Sequence, residues 1–176
     1  MRKVLAKYRK RGFAVTCLDE FTVVISPYRE RCWGMRGVRP IAKINFTHEK
    51  FHAIGLLGRR SFRYAFCEKL NQRTFIACLE KFLSRGGRIL IVLDNAKWHK
   101  GKLVQRFVER RKKTLKFVFL PPYSPNLNPM EPIVQKSKRV LSNRLYTDKA
   151  SMKADLRKAY RKQRFFAGKM FKYLCP

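Results

Sequence analysis

The chain has 176 residues, 45% of them apolar, and its 42 Lys and Arg face only 11 Asp and Glu for a formal net charge of +31. That apolar content fits one folded domain and excludes a disordered polybasic tail. No apolar run approaches the roughly 20 residues of a bilayer span, and no apolar leader follows Met1, so a membrane or secreted protein is not expected.

Such a charge opposes compaction unless a polyanion offsets it, and nucleic acid is the expected polyanion. An anionic membrane surface is the alternative. It is disfavoured because the basic residues are spread along the whole length. Five cysteines (Cys17, Cys32, Cys67, Cys78 and Cys175) are odd in number and form no C-x-x-C pair. Neither a disulfide framework nor a zinc site follows, and reduced thiols in the cytosol are expected.

Residues 1–11 are basic and too short for a domain. Phe13–Leu18 reads as a strand ending at Asp19-Glu20, and Phe21–Tyr28 as a second strand closing at Pro27. Arg29–Pro40, with Trp33, Gly34 and Gly37, reads as a loop. Ile41–Phe46 and Phe51–Leu57 read as a hairpin around Thr47–Lys50, and Phe62–Cys67 completes an antiparallel meander.

The period then changes. Phe75, Ile76, Leu79, Phe82 and Leu83 fall at helical spacing within 71–85, and Gly86-Gly87 ends that helix. Ile89–Leu93 is a central strand, and Lys102–Lys113 a helix with Leu103, Val104, Phe107 and Val108 on its apolar face. Phe117–Leu120 is another buried strand, stopped by Pro121-Pro122. Pro132 suits a first helical position, so Glu131 lies at the start of a helix that runs to about Leu145. Met152, Leu156, Ala159 and Tyr160 mark a last basic helix before an aromatic tail (Phe165, Phe166, Phe171, Tyr173). The expected fold class is α/β, a mixed sheet of an antiparallel meander plus parallel strands flanked by helices. No repeat or linker divides it, and a single domain over 1–176 is expected.

Acids are scarce here, and Asp19 and Asp94 stand just past predicted strands. Adjacent strands would bring those ends together, with Glu131 joining from its helix. Three carboxylates at close range repel one another unless a divalent cation lies between them. Oxygen donors suit Mg²⁺ or Mn²⁺, and two such ions clamp an in-line phosphoryl displacement. The competing reading is that Asp94-Asn95 is only a helix cap or an Asx turn.

Two blocks carry a resemblance: Leu93-Asp94-Asn95-Ala96-Lys97-Trp98-His99, and Leu120-Pro121-Pro122-Tyr123-Ser124-Pro125-Asn126-Leu127-Asn128-Pro129-Met130-Glu131. They resemble the L-D-N-A-x-x-H and L-P-P-Y-S-P-x-L-N-P-x-E patterns of the IS630/Tc1/mariner superfamily of insertion-sequence and transposon transposases. Asp19-Glu20 followed by Trp33–Gly37 is similar, less strongly, to the block around that family's first aspartate. Glu131 follows Asp94 by 37 positions, roughly the family's interval, and the resemblance covers about residues 13–145.

The resemblance implies an RNase H-like DDE catalytic domain with Asp19, Asp94 and Glu131 as metal-binding catalytic acids. It implies two Mg²⁺ or Mn²⁺ ions, DNA transposon ends and target as partners, a homodimer in the DNA complex, and a cytoplasmic, prokaryotic nucleoid-associated protein. The activity implied is strand cleavage followed by strand transfer. Val134 stands where the family usually has Trp, whereas Lys138 matches the family's lysine. Only eighteen residues precede Asp19, so the family's N-terminal helix-turn-helix module is expected to be absent. The rival reading is a non-enzymatic basic DNA-binding remnant of a truncated transposase.

Supporting roles fall to Asn95, His99 and Asn128. Asn95 and His99 would steer the metal-bound water or contact DNA, or else serve as a cap and a carbonyl-bonded imidazole. Asn128 would orient Glu131 or stabilise its turn. Lys100, Lys102, Lys136, Lys138 and Arg139 are candidate phosphate contacts. Trp33, Trp98 and Tyr123 are expected in the core in preference to stacking on bases.

Overall fold

The structure, a computed structural model, describes residues 1–25, 28–39, 41, 47–59, 61–84, 86–122, 124 and 127–162. Five strands form one mixed sheet in the order β3-β2-β1-β4-β5. A first helix, α1 (Arg2–Lys10), precedes them and is anchored by fully buried Leu5.

The two strands expected between Phe13 and Tyr28 are one, β1 (Ala14–Val24), and Asp19-Glu20 sits inside it. Its partners explain why acids do not end it. β2 (Lys50–Gly58) pairs antiparallel along it from Thr16↔Gly58 to Val24↔Lys50. β4 (Ile89–Leu93) pairs parallel only from Ala14↔Ile89 to Cys17↔Val92. Asp19 lies two residues past the last parallel pair, at the carboxyl end of β4, where an open sheet leaves a crevice. Crevices at the carboxyl ends of parallel strands are where open α/β sheets bind ligands.

β3 (Phe62–Cys67) lies where expected and completes the meander against β2. β2 has β1 on one side and β3 on the other. Residues 42–46 lie outside the described residues, as do Pro27, Pro40, Tyr123, Pro125, Asn126 and the aromatic tail. β5 (Leu115–Phe119) pairs parallel with β4. It is an edge strand, half-buried beyond Leu115, whereas all five residues of β4 are buried.

Two helix layers cover the sheet. α2 (Gln72–Leu83) and α3 (Lys102–Arg110) lay Phe75, Leu79, Phe82, Val104 and Phe107 over Leu18, Ile54, Leu56, Ile91 and Leu93. On the other face Leu5 of α1, Ile133 and Leu141 of α4 (Glu131–Leu141), and Met152, Leu156 and Tyr160 of α5 (Lys149–Lys162) cover Cys17, Val23, Leu90 and Val92. α3 and α4 end sooner than their periodicity suggests. Leu103 is exposed because α3 needs only Val104 and Phe107 to meet the sheet. α2 begins with a reciprocal cap between Asn71 and Thr74, and Gly86 and Gly87 follow it at φ 73° and 90°.

Strand alternation separates adjacent side chains. Asp19 shares a face with Cys17 and Val23, towards α4, while Glu20 shares one with Leu18, towards α2.

Candidate functional site

Asp19 is held in the crevice from two sides. Its Oδ1 accepts a 2.8 Å bond from the Glu20 amide, and its Oδ2 accepts one of 2.8 Å from Asn128 Nδ2. Burial, then the neighbouring Glu20 carboxylate, pushes its pKa from 3.8 up to about 7 against those two hydrogen bonds. Asp94 adds a smaller push in the same direction, which places the two carboxylates in one electrostatic neighbourhood.

Asp94 follows β4 directly. Its Oδ1 accepts from the Ala96 amide at 3.0 Å, the Asx turn its sequence permits, and lies 2.9 Å from His99 Nδ1. The side chain keeps 52% exposure. Hydrogen bonding to His99 lowers its pKa. Asp94 therefore makes the turn and keeps an ionised carboxylate open to the crevice.

Glu131 opens α4 where the Pro132 position predicts. Its amide donates to Asn128 O at 3.2 Å, and its Oε1 accepts from Gln135 at 3.2 Å. Asn128 is the joint between Glu131 and Asp19. Its Oδ1 accepts from the Met130 amide at 3.0 Å while its Nδ2 reaches Asp19. Asn128 thus stabilises the turn before Glu131, and the carboxylate its amide touches is that of Asp19, not Glu131.

His99 lies on a single 3₁₀ turn, Lys97–Lys100, and its side chain is fully buried. Nε2 lies 2.8 Å from Oε1 of Glu20, whose side chain is 4% exposed, and Nδ1 also lies 3.3 Å from the Asp94 carbonyl. Burial works to lower the His99 pKa, but the bonds to Asp94 and Glu20 outweigh it and raise it to about 9. Both ring nitrogens face only acceptors, so both donate and the ring is an imidazolium at neutral pH. The expected carbonyl bond is present. Burial excludes contact with DNA.

Possible ligand atoms of Glu20, Asp94 and His99 lie within 4.8 Å of one another. With both His99 nitrogens donating, this trio is a hydrogen-bonded chain rather than a ready cation cage. The donors that fit a hard divalent cation are on the crevice side. There Asp94 has an exposed carboxylate, and the part-buried carboxyl of Asp19 ionises only with difficulty unless positive charge is near. Glu20 is the site residue the sequence reading left without a role. Strand alternation beside Asp19 was the available signal.

The remaining candidates surround this crevice. Asn95 Nδ2 donates to Leu120 O at 2.6 Å and ties the loop after β4 to the chain leaving β5, so it is a strut and not a cap. Lys100 reaches Asn95 Oδ1 at 2.7 Å and lies over the Phe119 ring. Lys102, Lys136 and Lys138 are exposed, and Arg139 pairs with Glu30 at 3.1 Å on the surface. Trp33 is fully exposed, contrary to the core placement expected, because no helix or strand of the described residues covers the loop that carries it. Trp98 is part-buried beside His99, and its indole nitrogen has no hydrogen-bond partner among the described residues.

Residues 14–153 match a family described as DDE superfamily endonuclease. Among solved structures, the catalytic domain of Mos1 mariner transposase superposes with a TM-score of 0.68 at 16% identity, over 98% of this chain and 83% of that one. The Mos1 mariner paired end complex with Mn gives 0.74 at 19% identity, and the complex with Mg 0.73 at 18%. The chain spans 56% of the transposase chain in each of those two complexes. No curated protein matches the sequence.

Proposed function

We propose, from the premise that the chain belongs to the DDE superfamily endonucleases, that it is the catalytic domain of a cut-and-paste DNA transposase. The single observation that supports the reading is the hydrogen bond from Asn128, three residues before Glu131, to Asp19, which also feels the charge of Asp94 at the end of β4. Asp19, Asp94 and Glu131 are the acids we assign to two Mg²⁺ or Mn²⁺ ions. When bound, such ions neutralise and align the attacking and leaving oxygens of a phosphodiester displacement.

The chain's own residues prepare that chemistry. Asn128 fixes Asp19 and the Glu131 turn in one register, and the Asx turn aims Asp94 from the end of β4. Exposed Lys102, at the start of α3, and Lys136 and Lys138, on α4, offer charge to DNA phosphates. The solved Mos1 structures that share this fold include a paired-end complex with a left transposon end. Transposon ends and target DNA are accordingly the substrates we assign, with a homodimer acting on the nucleoid.

Supercoiled-plasmid nicking with Mn²⁺ or Mg²⁺ in moderate salt, for wild type and Asp94→Asn, tests the assignment. Metal-dependent nicking by wild type alone, with equal DNA binding by both, is expected. Equal nicking by both would remove Asp94 from the mechanism. Binding with no metal response in any assay would favour the non-enzymatic remnant.

A further inference from the structure

We propose that Glu20 and His99 are positioning residues, a buried brace that grips one oxygen of Asp94 from behind the sheet and leaves its other oxygen for a cation. This rests on the assignment of Asp94 as a metal ligand. Three observations carry it.

Glu20 is a carboxylate in a nearly closed environment on the face of β1 away from Asp19, where its neighbours Leu18, Ile54 and Phe75 are apolar. A carboxylate is costly there without a strong partner, and its partner is His99. His99 is also immobilised by packing, its ring 4.8 Å from that of Phe75 on α2. The imidazole then reaches Asp94 twice, at the carboxylate Oδ1 and at the main-chain carbonyl, fixing both χ1 and the backbone of that residue. The ring thus links the middle of β1 to the first residue after β4.

A loop carboxylate has several rotamers of similar energy. Fixing one of them before a ligand arrives removes that entropy cost from binding. Partners behind a metal ligand typically change affinity by about 10- to 100-fold when removed. A purely structural brace predicts a different result, since a buried ion pair replaced by apolar groups of similar volume commonly keeps its stability.

The double variant Glu20→Leu/His99→Phe separates the two roles. Mn²⁺ binding is measured by calorimetry for wild type, Asp94→Asn, Glu20→Gln and the double variant, with thermal unfolding recorded for each. The expected result is a double variant that unfolds near the wild-type temperature and binds Mn²⁺ about 10- to 100-fold more weakly. Glu20→Gln, whose amide oxygen still accepts from Nε2, should stay within about threefold of wild type. A folded double variant with wild-type Mn²⁺ affinity overturns the brace. If the double variant does not fold, Glu20→Leu decides: Mn²⁺ binding weakened about 10-fold or more in a folded protein supports the brace, and wild-type affinity overturns it. An Asp94→Asn protein that binds Mn²⁺ as wild type does would overturn the ligand assignment itself.

Discussion

Asn128 Nδ2 lies 2.8 Å from Asp19 Oδ2, joining the middle of β1 to the turn three residues before Glu131. The two residues are 109 positions apart, yet this one bond ties the Asp19 carboxylate to the turn that leads into α4. Replacing Asn128 by Ala removes that bond and the one from the Met130 amide. A loss of about 1–3 kcal/mol is expected for the part-buried groups left unpaired. Urea unfolding should show it, and metal-dependent nicking should fall further than stability does. A variant with wild-type nicking would show that the loop holds Glu131 without Asn128.

Asp19 and His99 make stability fall as pH rises, in successive windows. Asp19 goes from 3.8 to about 7 on folding, so its contribution is complete below 3.8 and is lost as pH climbs through 7. His99 goes from 6.5 to about 9, so its contribution is complete below 6.5 and is lost through 9. Unfolding in chelator from pH 4 to pH 9 should flatten over the lower window in Asp19→Asn. Mg²⁺ should restore wild-type stability above pH 7 by binding the ionised carboxylate. A lower window as steep in Asp19→Asn as in wild type would mean that the crevice does not hold that proton.

Gly55 is the β2 residue directly opposite Asp19. A Cβ added there would come within 2.5 Å of Met130 Cε and 2.9 Å of Phe62 Cε2. Met130 is fully buried and immediately precedes Glu131, so the strain would be passed to the start of α4. Gly55→Ala should lower stability by about 1–3 kcal/mol and reduce nicking, with DNA affinity unchanged. The further change Met130→Ala should recover part of the nicking by vacating the space. Full activity in the single variant would show that Met130 moves aside without carrying Glu131 along.

DNA affinity should fall steeply with salt, because each neutralised phosphate releases counterions. Lys136→Ala/Lys138→Ala removes two exposed cations of α4 and should lower the slope of log K against log salt by about 2. Filter binding or anisotropy across a salt series measures it. An unchanged slope would move the DNA path away from α4.

The sequence by itself determined the class of fold and the candidate acids. Ile89–Leu93 reads as a strand buried on both faces because five apolar residues in a row leave it no wet side, and all five are buried. Phe62–Cys67, the helix after Asn71 and Glu131 at a helix start were legible for similar local reasons. The motif blocks pointed to Asp94 and Glu131 without any structure.

Tertiary structure decided what depends on partners. Asp19 was expected just past a strand end, but β1 continues through it: β2 supplies an antiparallel partner as far as Val24 while β4 pairs only to Cys17. Trp33 looked like a core residue by type, and only the placement of the layers leaves it exposed. Glu20 had no role assigned from the sequence. Its burial against His99 depends on a turn 79 positions away in the chain. Periodicity reports which face of its own element a side chain takes. It carries no record of which distant group will be waiting there.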